Sequence, residues 1–127
     1  QRAQDLADVA PYLATVAPDA PFLEWFVRWG WADAWGLFVL APLDLDQLRR
    51  HFRRFTVVAT EDGRPLFFRF YDPRVLRSVL PTCDKDQLAR FFGPIDCFAC
   101  EAPSGDALQV FELADGSLRD RPLPLPR

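Results

Sequence analysis

Few residues in this chain have the types and spacing that chemistry needs. His51 is the only histidine. A Ser-His-Asp or Cys-His arrangement would need Ser78, Ser104, Ser117 or a cysteine beside it, and no nucleophile motif surrounds any of them. It stands close to the edge of an apolar helical stripe, where an ordinary boundary histidine is expected. Cys97-Phe-Ala-Cys100 has redox or metal spacing, and Cys83 is a third thiol. The segment reads as a strand, however, in which residues three apart face opposite sides of a sheet. A reactive pair normally opens a helix, whose N-terminus lowers the thiol pKa. A structural zinc would want a fourth ligand, and only His51 or a carboxylate is at hand. Buried free thiols are the expectation. The carboxylate pairs Asp44/Asp46 and Asp84/Asp86 sit at helix starts, where capping explains them. Among six glycines no phosphate-cradling loop appears; Gly63, Gly93, Gly105 and Gly116 fall at turns or caps. No catalytic, cofactor-binding or metal-ligating residue is assigned, and an enzyme is not expected.

The sharpest charged feature is a row of arginines. Arg49, Arg50, Arg53 and Arg54 lie opposite the apolar stripe Leu45, Leu48, Phe52 and Phe55 at about 100° per residue. Such a face is either solvated, a contact for an acidic protein surface, or a nucleic-acid site. The last fits poorly with a net charge of −3 and with the lack of any known reader motif. All but one of the 15 basic residues are arginine, Lys85 being the exception. That bias follows from a GC-rich genome or from selection for partly dry interface contacts, which suit the weakly hydrated guanidinium.

These residues need a scaffold, and the composition supplies one. With 127 residues, half of them hydrophobic, the chain has the size of one domain with a sizeable core. The 12 phenylalanines and 4 tryptophans are too many for a disordered tail, and 26 % charge is too much for a membrane protein. Three cysteines are a poor basis for a disulfide framework, so a reducing, cytoplasmic setting is expected.

Apolar spacing predicts a helix over Asp5–Val16, with Pro11 kinking it or dividing it into two pieces. A second helix is predicted from an Asp19 N-cap through Trp29, closed by Gly30. Its wide stripe of Phe22, Leu23, Trp25, Phe26 and Trp29 is buried on most sides or covered by a partner. Trp35–Ala41 is a continuous apolar run of the kind found mid-sheet, buried on both faces. Asp44 and Gln47 form a capping-box pair opening the arginine helix. Thr56–Thr60 and Pro65–Tyr71 read as a hairpin around Asp62-Gly63, with Leu66, Phe68 and Phe70 on one side and Phe67, Arg69 and Tyr71 on the other. Asp72-Pro73 starts a further helix, and Asp84 with Gln87 another, stopped by Gly93-Pro94. Ile95–Glu101 and Ala107–Leu113 look like two more strands. Residues 119–127, with three prolines in the last six positions, read as an extended tail or linker after a domain at 1–118. The expected class is α/β of the mixed α+β kind, with a mixed sheet of about five strands and helices packed on it.

The string Leu66-Phe-Phe-Arg-Phe-Tyr-Asp-Pro-Arg-Val-Leu76, followed by Phe92-Gly-Pro-Ile95, resembles a known family. It is similar to the N-terminal adaptor domain of type VI secretion effector chaperones, the Tap or TEC adaptors, once described only as a domain of unknown function. Ala10-Pro-Tyr-Leu13, Trp35-Gly-Leu37 and the helix from Leu45 to Phe55 fall in the family's order, so the resemblance spans about residues 9–101. It implies a non-enzymatic bacterial adaptor that binds a secreted toxic effector and helps load it onto the VgrG spike or its PAAR tip. Family members usually open with a strand of the type aromatic-Ala-Leu-Leu-Asp-Ala and continue into a helical lobe; neither is seen here. Of the family string, Arg69, Tyr71, Asp72, Pro73 and Arg74 are expected to serve structure rather than direct partner contact, Asp72 as a cap and Arg69 or Arg74 pairing with it or with a neighbouring carboxylate. Partner contact is expected from Trp25, Trp29 and Trp31 and from Arg49, Arg50, Arg53 and Arg54, since tryptophan and arginine dominate interface hot spots. A nucleic-acid-binding module built on the basic helix is the alternative, and a small hydrolase or redox protein around His51 or Cys97/Cys100 a third.

Overall fold

The protein is described by a computed structural model covering residues 11–31, 33–59 and 61–124. Helix α1 spans Pro21–Trp29. Pro21 at its first position supplies the helical φ in advance. The N-cap is therefore Ala20, without a side-chain cap, and Asp19 stands one residue outside the capping position expected of it. Gly30 closes the helix, its N–H donating to the Phe26 carbonyl at 2.7 Å. Strand β1 is Phe38–Leu40 and helix α2 is Leu45–Arg53. The Asp44 carboxylate accepts from Gln47 N at 2.8 Å and the Gln47 side chain accepts from Asp44 N at 3.0 Å, completing the capping box. Strands β2 (Val57–Ala59) and β3 (Pro65–Phe67) make the expected hairpin, though shorter. The side chains of Leu66 and Phe67, and Thr60, lie outside the described residues. Helix α3 (Pro73–Val79) runs into a 3₁₀ turn, Leu80–Thr82, and α4 is Lys85–Phe92 with a second capping box from Asp84 and Gln87. Strands β4 (Cys97–Glu101), β5 (Ala107–Ala114) and β6 (Ser117–Pro124) follow.

The class is α+β. The main sheet has four strands in the order β1-β4-β5-β6, one fewer than expected, and β2-β3 form a separate pair. All these pairings are antiparallel, where a mixed sheet was expected. One face of the sheet carries Phe98, Cys100 and Phe111 against Phe52, Phe70, Leu76, Leu80, Leu88, Phe91 and Phe92. This phenylalanine-rich core is built from stacked and edge-on rings, such as Phe91 on Phe98 at 4.9 Å and Phe92 against Phe98 at 5.0 Å. The other face gathers Cys97, Ala99 and Val110 with Phe38 and Leu108.

Three expectations change. The run Trp35–Ala41 is not a central strand: only Phe38–Leu40 pair, and β4 is the sole neighbour among the described residues. The run is apolar because Val39 faces the large core while Phe38 faces the smaller cluster, so two partly covered faces imitate a buried strand. Residues 11–16 carry no helix, and the rest of the helix placed at 5–16 lies outside the described residues. Residues 119–124 are extended as expected but lie within β6, paired along their length to β5. Prolines 122 and 124 are tolerated there because β6 is an edge, where a missing N–H need not break a ladder.

Candidate partner-binding surface

Helix α1 buries none of its residues. Its stripe instead extends into a shelf of rings: Phe22 meets Trp25 at 5.7 Å, Trp25 meets Trp35 at 5.0 Å, and Phe26 touches Phe38 at 5.3 Å. Trp25 and Trp35 remain about half exposed and Trp29 is 60 % exposed. Trp29 also carries the Arg28 guanidinium 5.9 Å from its ring. Trp35 escapes notice in the sequence because it opens the run read as a central strand. In the structure it lies over Gly30, where a Cβ would stand 2.5 Å from the indole, so a glycine is needed for that approach.

The shelf is moored at its C-terminal end. Trp31 is half-buried and donates its indole N–H to the Gly105 carbonyl at 2.8 Å. Three residues on, Ala34 has φ 57 and donates its N–H to the buried carboxylate of Glu101 at 3.0 Å. Left-handed backbone is unfavourable for alanine; the carboxylate bond offsets that cost. Arg77 in turn donates to the Glu101 carbonyl at 2.6 Å. Of the three tryptophans expected at the surface, Trp25 and Trp29 are presented outward and Trp31 is a tie between α1 and the β4–β5 hairpin.

The arginine face of α2 is open. Arg49, Arg50, Arg53 and Arg54 are all exposed. Arg49 reaches Asp46 at 3.5 Å and Arg50 donates to the Asp46 carbonyl at 3.5 Å, contacts too long and too wet to hold either side chain firmly. No cation–π contact among the described residues joins this face to the aromatic shelf.

Where the contacts of the family string are seen, they lie within the domain. Asp72 caps α3, accepting from Arg74 N at 2.9 Å, and its two oxygens take the Arg74 guanidinium at 3.0 and 2.8 Å. The hydrogen bond from Arg74 holds the Asp72 carboxyl below its ordinary range, against the opposing effect of burial. Exposed Arg69 adds to the same field, Pro73 is fully buried, and Tyr71 sits edge-on to Phe70 at 5.5 Å.

His51 is buried, and its Nε2 stands 2.6 Å from the Phe91 carbonyl. A carbonyl only accepts, so Nε2 carries the proton. The imidazole packs beside Gly93, whose φ of 51 ends α4. This ties two helices across 40 residues of chain. Cys97 and Cys100 face opposite sides of the sheet, as period-two geometry requires. Burial pushes the Cys100 thiol up to about 11 and raises Cys97 and Cys83 as well. Among the described residues no group of three His, Cys, Asp or Glu side chains is placed to hold a metal. None of their helices is long and apolar enough to cross a membrane.

Together these features define a small α+β domain with a bare aromatic helix moored to its sheet and a basic helix turned to solvent. By sequence the chain belongs to the family described as Domain of unknown function (DUF4123), whose family model matches residues 1–90. No curated protein and no solved structure matches it.

Proposed function

We propose that this protein is a non-enzymatic adaptor that binds a type VI secretion effector and helps load it onto the VgrG/PAAR spike. The observation that carries the reading is the aromatic shelf: Phe22, Trp25 and Trp29 project from one helix with none of them buried. Contiguous exposed apolar surface of this kind marks a protein contact, and tryptophan beside arginine is the composition of hot spots. The resemblance of the Leu66–Leu76 string to effector chaperones supplies the kind of partner, and a cytoplasmic setting follows from it.

The test is affinity purification of the tagged protein from its bacterium, with mass spectrometry of what co-purifies. Recovery of a VgrG-type spike or a toxin-domain protein, lost on combined Trp25→Ala and Trp29→Ala substitution, is the expected result. Two hot-spot tryptophans at about 2 kcal/mol each correspond to a loss of roughly 10³-fold in affinity if additive. Combined Arg49→Glu and Arg53→Glu tests the basic face in the same assay. A clean eluate from folded protein would overturn the adaptor reading. An eluate rich in nucleic acid, with affinity falling steeply as salt rises, would favour the basic helix as a nucleic-acid site.

A further inference from the structure

The two edges of the main sheet are built differently. On β6 the backbone edge is blunted by Arg119, Asp120, Arg121, Pro122 and Pro124, the charges and prolines that keep strands from pairing further. At β1 the stretch from Trp35 to Ala41 has neither a charge nor a proline. Its only strand neighbour among the described residues is β4. Leu40, in the strand itself, is 62 % exposed.

The hydrogen-bonding direction of β1 follows from one contact. The Leu40 carbonyl accepts from Asp96 N at 2.8 Å, so Leu40 points its polar groups toward β4. Antiparallel ladders alternate, which turns those of Val39, and of Leu37 and Ala41 beyond it, outward. An edge whose outward groups centre on one residue is complementary to itself.

We infer that β1 pairs edge to edge with β1 of a second copy of this chain, in an antiparallel two-fold dimer centred on Val39. In that register Val39 meets its own counterpart, Leu37 meets Ala41 of the second copy, and Phe38 meets its Leu40. The side chains agree with the pairing. Val39, Leu37 and Ala41 pack on the large core, so the core face continues from one copy into the next. Phe38 belongs to the opposite face, and the exposed Leu40 beside it gains an aromatic cross-strand neighbour. A C2 interface must be self-complementary in this way.

The area suits a weak, transient association and is too small for a permanent dimer. The exposed half of Trp35, most of Leu40 and the strand backbone amount to about 350 Å² per copy, taking about 250 Å² for a whole tryptophan. The total of about 700 Å² is that of a weak, transient contact. Self-association is therefore concentration-dependent. This inference stands apart from the adaptor reading, which concerns other proteins and the outward face of α1.

Sedimentation velocity of the intact chain between about 1 μM and 1 mM reads the equilibrium. The expected result is a shift from monomer to dimer across that range. Leu40→Lys, placed at an exposed position, keeps the fold and weakens dimerisation by at least about tenfold, because an edge lysine opposes pairing. Hydrogen exchange supplies an independent reading: the amides of Leu37, Val39 and Ala41 gain protection as concentration rises. A monomer at every concentration, or a Leu40→Lys variant that associates like the parent, overturns the inference. So does protection of those three amides in a protein that stays monomeric, since the edge is then filled within its own chain.

Discussion

Substituting alanine at Gly93 tests whether the His51 contact is a structural lock. Gly93 has φ 51 and ψ −125, a conformation hostile to any side chain. Holding alanine there costs about 1–3 kcal/mol. The added Cβ would also stand 2.7 Å from His51 Cε1, well inside the ~3.5–4.0 Å of a relaxed carbon contact. The imidazole must then move, and its Nε2–H leaves the Phe91 carbonyl now 2.6 Å away. A buried carbonyl left without a partner adds about 1–3 kcal/mol. Gly93→Ala is thus expected to lose about 3–5 kcal/mol, a large share of the ~5–15 kcal/mol of a typical domain. His51→Ala alone loses the same hydrogen bond and some packing, about 2–3 kcal/mol. In the double variant the overlap is gone and the bond is lost only once. Its cost should fall short of the sum by at least ~1 kcal/mol. Urea denaturation of the four proteins measures this cycle. Additivity within about 0.5 kcal/mol would refute the argument. Folded His51→Ala protein should also retain every partner of the parent.

The Asp72–Arg74 pair and the thiols give two more tests. Asp72→Asn keeps a capping oxygen but loses the ion pair, and should cost about 1 kcal/mol near neutral pH in thermal or urea unfolding, since the exposed guanidinium is screened by solvent. The folded-state carboxyl is held below its ordinary value, so its contribution is present above about pH 4 and is lost as pH falls through the lowered folded pKa. The gap between parent and variant should accordingly close in acid; a gap that widens there contradicts the assignment. Cys100, with its pKa raised to about 11, and Cys97, also raised, should resist alkylation in native protein at pH 8 and react at unfolded-state rates in denaturant. Rapid modification of either thiol in folded protein would return the pair to the list of reactive sites.

Local signals were legible in the sequence because their causes are local. Asp44 with Gln47, Asp84 with Gln87, and Asp72 before Pro73 each cap the helix they precede, within three residues of chain. The opposite facing of Cys97 and Cys100 followed from the two-residue period of a strand. Position within the sheet was another matter. An apolar run such as Trp35–Ala41 records how much of each face is covered, not how many strands lie beside it. The prolines of residues 119–124 argued against a strand only for the middle of a sheet, and β6 is at its rim. The partner of His51 is a backbone carbonyl 40 residues away, beside a glycine whose unusual ψ no sequence pattern announces. At the surface, the apolar stripe of α1 was visible as too wide for a half-buried helix. Its continuation into Trp35, and the tethering of Trp31 to Gly105, depend on a fold that residue types alone do not encode.

The division between a phenylalanine core and a tryptophan shelf has an optical consequence. All four tryptophans fall between positions 25 and 35, while the buried rings of the large core are phenylalanine. Intrinsic emission excited in the indole band thus originates from one wall of the molecule and is silent about the interior. Loosening of α1 and its tether would redden and quench the emission while the far-ultraviolet dichroism of the sheet stayed unchanged. The two spectroscopies therefore watch different parts of the same small domain, and any separation between their melting curves measures how independently the wall comes away.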